Sequence, residues 1–146
     1  MRRQFTLGLL AYLVPTFLLG YVWHLKLFAG LYHDLGIYRP DVIIPLGFSS
    51  MLLQGAIFAI AYPRLAEKPW QLSHALQFAA GAALLSWTFT TLAVAAKHPM
   101  TSVSRFVMIE TCFTVVQFAM VGPLLALSAR GRRPAAVNPV VATQVH

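Results

Sequence analysis

Glu110 is the strongest candidate in this sequence for a side chain with a chemical role. It lies inside an apolar run long enough to cross a bilayer, and no other acidic residue does so. A carboxylate at such a position is costly unless it faces the protein interior and meets a partner. Glu110 is therefore either a functional group, which relays a proton or cation or anchors a ligand, or half of a structural ion pair. The partner in a structural pair would be Lys26, Arg39 or Arg105.

Two glutamines add polar groups to other parts of the apolar runs. Gln54 and Gln117 each lie roughly twelve residues from the same end of their runs, about 18 Å deep at the rise of a helix. Thr114 and Gln117 follow Glu110 at helical spacing and share its face. Amides at this depth either bond neighbouring helices together or line a polar ligand cavity. The candidate ligand-binding residues are Glu110, Gln54, Gln117, His24 and Arg39.

Residues 21–41 concentrate aromatic, imidazole, carboxylate and cationic side chains between two apolar runs. Such side chains suit zinc, copper or iron, and the weak metal candidates are His24, His33, Asp34 and His98. Their spacing matches no compact ligand motif such as HExxH, so interfacial histidines and helix-end acids are the alternative. A haem held by His24 and His98 is chemically allowed. The sequence does not identify a cofactor.

The elements that position these residues are set by composition. The chain has 146 residues, of which 58% are hydrophobic and 10% charged, whereas soluble domains carry about 25% charged residues. A water-soluble fold would have too little polar surface to cover itself, so the excess apolar side chains face lipid. The net charge of +7 comes from cations at the ends of the apolar runs, which excludes a nucleic-acid-binding stripe.

Four apolar runs predict an all-α fold, an integral membrane four-helix transmembrane bundle. The predicted domain is 1–128, with spans at about 5–25, 42–62, 72–96 and 105–128. The first is read as a retained span, because it is too long for a signal peptide. Apolar residues at helical spacing between Leu27 and Leu35 predict a short interfacial helix that ends at Gly36. Residues 129–146 are predicted to form a disordered cytoplasmic tail.

The cations at the ends of the spans predict an orientation. Seven lie on the side of the termini and four on the other side. Because the richer side of a membrane protein is cytoplasmic, both termini are expected inside, and residues 26–41 outside. The predicted location is a bacterial inner membrane, with the chain crossing it several times.

Three segments of the first half carry a resemblance: Gly20–Leu25 (GYVWHL), Leu35–Arg39 (LGIYR) and Ile44–Phe48 (IPLGF). They resemble small uncharacterised bacterial four-span membrane proteins, a domain of unknown function. The resemblance implies a bacterial membrane protein and brings no assigned activity or site residue. Small multidrug transporters also have four spans, but their essential acid lies in the first helix, where this chain has none.

The leading functional hypothesis is a small inner-membrane protein that binds a partner, a lipid or a small molecule in a polar pocket near the outer leaflet. One alternative is a proton- or ion-coupled small-molecule carrier, expected to be a homodimer, in which Glu110 titrates. Another is a metal- or haem-dependent membrane enzyme, although no nucleophile stands beside a suitable base. The expected partners are the lipid bilayer and either a second copy or a partner membrane protein, and not nucleic acid.

Overall fold

A computed structural model of the chain describes residues 2–132, which are organised almost entirely as helices. The α-helices are α1 Arg2–Val22, α2 Ala29–Leu35, α3 Ile44–Leu65, α4 Leu72–Trp87, α5 Ala93–Lys97 and α6 Val103–Ser128. A π-helical turn, Trp23–Leu27, extends α1, and a second, Thr88–Leu92, joins α4 to α5. A short 3-10 turn, Arg130–Arg132, follows α6.

Four helical stretches are long and apolar enough to cross a membrane: Arg2–Leu27, Ile44–Leu65, Leu72–Lys97 and Val103–Ser128. The predicted all-α bundle with four spans is thereby confirmed, and the chain is a multi-pass membrane protein. The short helix between spans one and two is also present as α2. It ends at Gly36, whose φ of 72° lies in the left-handed region that glycine adopts without a steric penalty. Of the residues predicted as a tail, 129–132 follow α6 directly and include the short 3-10 turn, whereas 133–146 lie outside the described residues.

The spans lie in the spatial order α3, α1, α6, α4. α1 packs against α3 and α6, and α6 packs against α4. In the most apolar windows of the first and fourth spans, 33% and 39% of residues are buried, against 11% in each of the other two. α1 and α6 therefore form the centre of the bundle, while α3 and α4 expose most of their surface for lipid.

Small residues bring α1 and α3 into close contact. A Cβ added at Gly55 would lie 2.9 Å from Leu9 Cδ1, and one added at Gly8 would lie 3.2 Å from the Ala59 Cα. Such close approach is how helices associate in lipid, where no hydrophobic force drives them together. The same close approach places Tyr12 of α1 beside Gly55 of α3, where an added Cβ would lie 3.2 Å from the Tyr12 ring.

The two ends of the bundle differ. The end that holds α2, called here the α2 end, is closed by a buried cluster of Tyr32, Leu35, Phe106 and Ile109. The loop before α6 is tied to α2 by Thr101, whose backbone N–H donates to Leu35 O (3.2 Å) and whose hydroxyl donates to Asp34 O (2.9 Å). α2 is therefore fixed against the bundle by packing and by hydrogen bonds.

Candidate functional site

Glu110 is buried at the α2 end, with 8% of its surface exposed. The Tyr32 hydroxyl donates to Glu110 Oε1 at 2.5 Å, and His24 Nε2 lies 3.4 Å from the same oxygen. Three elements thus converge on one carboxylate: α6, α2 and the first π-turn. Within residues 2–132, the structural ion pair expected with Lys26, Arg39 or Arg105 is not formed, since the ionic partner of Glu110 is His24.

The hydrogen bond of His24 to its own helix fixes the direction of its ring. His24 Nδ1 lies 3.0 Å from Gly20 O, an acceptor, and so serves as the donor. Nε2, on the other side of the ring, then faces the Glu110 carboxyl group at 3.4 Å. The imidazole therefore connects the backbone of α1 with the carboxyl group on α6.

Aromatic rings surround this pair. The Tyr32 and Tyr38 rings are stacked, with centroids 4.8 Å apart and planes at 2°, and the His24 ring lies 4.9 Å from that of Tyr32. Burial raises the pKa of the Tyr32 hydroxyl, and the bond to Glu110 raises it further, against a smaller lowering by Trp23. Burial and the nearby Glu110 also raise the pKa of Tyr38. Both hydroxyls therefore remain protonated at neutral pH.

A cavity of about 260 Å³ opens beside the carboxylate. Its walls come from the first π-turn, the segment after α2, the second π-turn with α5, and α6. The lining residues are His24, Ile37, Tyr38, Thr90, Val94, His98, Phe106 and Glu110. Both π-turns of the described chain thus contribute to this one cavity, and such turns occur often at functional sites. We refer to His24, Tyr32, Tyr38 and Glu110 as the α2-end cluster.

The two predicted glutamines belong to a different cluster. The Tyr12 hydroxyl donates to Gln54 Oε1, and Gln117 Nε2 donates to Tyr12 Oη (3.4 Å) and Thr16 Oγ1 (3.3 Å). Gln54 and Gln117 are therefore joined through Tyr12. Gln117 lies seven positions after Glu110 on α6, roughly 10 Å along the helix. The single site expected for these residues is divided between the α2-end cluster and this mid-span cluster of Tyr12, Thr16, Gln54 and Gln117.

The remaining candidates lie elsewhere at the α2 end. Arg39 is exposed and borders, with His24, a groove between α1 and α3. His33 Nδ1 lies 3.7 Å from Asp34 Oδ1, and the two side chains are 91% and 83% exposed. His98 lines the cavity beside Glu110. Among the residues that the structure describes, no three His, Cys, Asp or Glu side chains are close enough to hold a metal ion. The structure therefore does not bring the weak metal candidates His24, His33, Asp34 and His98 together as one group, and the metal alternative stays a prediction.

Several residues of the two clusters were not identified as candidates from the sequence. Tyr32 and Tyr38 are not among the candidate residues of the sequence, yet Tyr32 is fully buried beside Glu110. The signal that could have placed Tyr32 is its spacing of three residues from Leu35 on α2, which puts both on one face. On α1, Gly8, Tyr12, Thr16 and Gly20 recur every four residues, and all four are buried. That line of small and polar residues marks the face of α1 that packs in the bundle.

Comparison of the chain with protein-family models, curated protein sequences and solved structures gives no match. The resemblance of the first half to small bacterial four-span proteins stays a prediction.

Proposed function

We propose that this protein binds a small molecule with a positively charged nitrogen in the cavity at the α2 end. The observation that carries the proposal is the Glu110 carboxyl group, which is held by Tyr32 and His24 in the wall of a cavity of about 260 Å³. A buried carboxyl group needs a counter-charge or a proton. In this proposal a bound cation supplies the counter-charge in place of a proton.

The surroundings of the carboxyl group also favour a cation. Tyr38 and Phe106 line the cavity, and the Tyr32 ring stacks on the Tyr38 ring. Aromatic faces attract ammonium groups, and more strongly where water is excluded. A carboxylate among aromatic rings therefore combines charge neutralisation with cation–π contact, and a cavity of about 260 Å³ suits a small molecule.

The test is to measure, by calorimetry, the binding of ethanolamine, a small soluble amine, to the purified protein in mild detergent. We expect Glu110→Gln to weaken binding at least about tenfold, because the counter-charge is lost. Glu67→Gln is the matched control, since Glu67 is an exposed acid in the α3–α4 loop, and should bind as the native protein does. The native protein should release a proton on binding in weak buffer. Equal binding by the Glu110→Gln variant would overturn the proposal.

The proposal includes an orientation: a bacterial inner membrane with both termini in the cytoplasm and the cavity toward the outside. It is supported by the seven cations on the side of the termini against four at the α2 end. In a Cys112→Ser background, His33→Cys should react with an impermeant maleimide in intact cells, whereas Lys68→Cys should react only after lysis. The opposite pattern would reverse the orientation.

A second candidate function is a proton-coupled carrier. The favouring observation is the 3.4 Å approach of His24 Nε2 to Glu110 Oε1, since a cation that displaces a proton from such a pair couples its own binding to proton release. In liposomes, the native protein should move amines along a pH gradient and Glu110→Gln should not. If the native protein moves no amine, the carrier hypothesis is rejected and the proposed binding function is kept. The predicted homodimer or partner membrane protein stays a prediction, which light scattering in detergent would address.

A further inference from the structure

We infer that the ligand of the α2-end cavity is a membrane lipid, a phospholipid whose headgroup ends in a primary amine, and that it enters from the bilayer through the groove between α1 and α3. This inference rests on the proposed function and names the ligand class of the same site. It follows from the way an apolar groove, two charged residues and the cavity adjoin one another.

The groove has the character of a site for an acyl chain. It measures about 490 Å³ and lies between α1, the segment after α2, and the first half of α3. Its walls are mostly apolar and include Phe17, Leu46 and Met51, whereas its charged lining residue is Arg39. A fatty chain that enters from the bilayer can lie against such walls by van der Waals packing, without exposing a polar group to it.

The groove and the cavity share part of their lining. His24, Ile37 and Tyr38 border both spaces. Ile37 and Tyr38 belong to the connection between α2 and α3, outside any regular helix. The groove and the cavity are therefore adjacent, on either side of these three residues.

The charges along this path match one class of headgroup. Arg39 at the groove suits a phosphate, and Lys26, whose Nζ lies 5.6 Å from the ring centroid of the groove residue Tyr21, adds a second cation nearby. Glu110 lines the adjoining cavity, which Tyr38 borders together with the groove, and its carboxyl group suits an ammonium. A headgroup with a phosphate and a terminal amine joined by a short link carries these charges in this order. A glycerol headgroup lacks the cation, and a choline headgroup has no N–H to donate to the carboxylate.

The test is native mass spectrometry of the protein released from nanodiscs with equal parts of phosphatidylethanolamine, phosphatidylglycerol and phosphatidylcholine. We expect the amine lipid to be enriched at least about fivefold on the native protein. Glu110→Gln should lose the preference while retaining phospholipid. Arg39→Gln should retain less of all three lipids, and its control, Lys68→Gln in the exposed α3–α4 loop, should behave as the native protein does.

A second pair of variants separates the groove from the cavity. A Cβ added at Gly47, which lines the groove, meets nothing within 4 Å, and the same holds for Gly81 in the groove between α3 and α4. Both Gly→Leu variants should therefore fold. Gly47→Leu should lose the amine lipid while still binding ethanolamine, whereas Gly81→Leu should keep both.

The outcomes distinguish this inference from the proposed function. If the native protein binds ethanolamine through Glu110 but shows equal or greater enrichment of a lipid without the amine, the lipid inference is overturned and the proposed function stands. If Gly47→Leu retains the amine lipid, entry through this groove is overturned. If Glu110→Gln binds ethanolamine as well as the native protein does, both fall together.

Discussion

The two polar clusters of this bundle share one face of α6 but differ in chemistry and in backbone. The α2-end cluster holds a carboxyl group, an imidazole and two phenols, and it borders a cavity framed by both π-turns. The mid-span cluster contains only hydroxyl and amide groups and is built on regular helix, beside the close approach at Gly55. Gln54 of this cluster also lines a groove between α3 and α4.

The difference separates a polar contact that holds helices together from one that can do chemistry. Amides and hydroxyls satisfy one another without a change of charge, so the mid-span cluster serves as interhelical bonding. A carboxyl group in the same bundle needs a titratable partner, and the backbone departs from α-helical geometry where that partner is supplied. The four predictions below test this distinction, from the largest expected effect to the smallest.

Replacing the donor to the carboxylate should have the largest effect on stability. Tyr32→Phe removes the hydroxyl that bonds Glu110, and a hydrogen bond to a charged group contributes about 2 kcal/mol. The free energy of unfolding, measured by titration with SDS in mixed micelles, should fall by about that amount. Tyr38→Phe is the matched control because it keeps the stacked ring, and it should change stability by less than about 0.5 kcal/mol. Equal losses of stability in the two variants would show that the hydrogen bond from Tyr32 to Glu110 does not stabilise the fold beyond the effect of removing any phenol hydroxyl.

Removing the bridging hydroxyl of the mid-span cluster should cost less. Tyr12→Phe leaves Gln54 and Gln117 without their common partner, but all of these groups are neutral. Interhelical hydrogen bonds of this kind contribute about 1 kcal/mol, so the same titration should show about half the loss of Tyr32→Phe. Tyr21→Phe, on the exposed side of α1, should be neutral. A larger loss for Tyr12→Phe than for Tyr32→Phe would reverse the comparison.

High pH should weaken the fold through Tyr32. Burial and Glu110 raise the pKa of its hydroxyl above the ordinary value of 10.0, so the unfolded chain loses that proton first. The contribution of Tyr32 is therefore complete below pH 10 and declines above it. From pH 8 to pH 10.5 the expected loss due to this group is about 0.8 kcal/mol. Tyr32→Phe should show a drop smaller by that amount, and an identical drop in both proteins would refute the assignment.

The smallest effect should come from the tie between the α5–α6 loop and α2. Thr101→Val removes the hydroxyl that donates to Asp34 O, and Thr101→Ser keeps it. We expect amide exchange in residues 29–36 to quicken about threefold in the valine variant and to stay near native in the serine variant. Exchange across the mid-span cluster should not change. If the whole bundle exchanges faster, α2 opens together with the spans and is not a separate unit.

The sequence predicts the spans well because hydropathy reports directly on lipid exposure. The predicted first span, 5–25, lies within the observed Arg2–Leu27, and the other three differ by only a few residues at either end. The end of α2 at Gly36 was also predictable, because a left-handed residue after an apolar helical pattern is usually glycine. These features depend on local sequence alone.

The partners of Glu110 could not be predicted from the sequence. A π-turn places an extra residue in a helical turn and rotates all that follows, so the direction of His24 cannot be read from an ideal helical period. Tyr32 reaches the carboxyl group only because α2 folds back on α6. The division of Glu110 and Gln117 between two clusters likewise depends on the order of the four helices, which follows from contacts such as Gly55 against Leu9.

The spatial order of the helices has a consequence for assembly. The α1–α3 hairpin and the α4–α6 hairpin are covalently connected only by residues 66–71, while the α1–α6 contact joins them through the centre. Glu67 and Lys68 in that connection are exposed. A protease that cuts there would leave the buried contact intact, so the two pieces, even when translated from separate messages, retain what they need to recombine within the membrane.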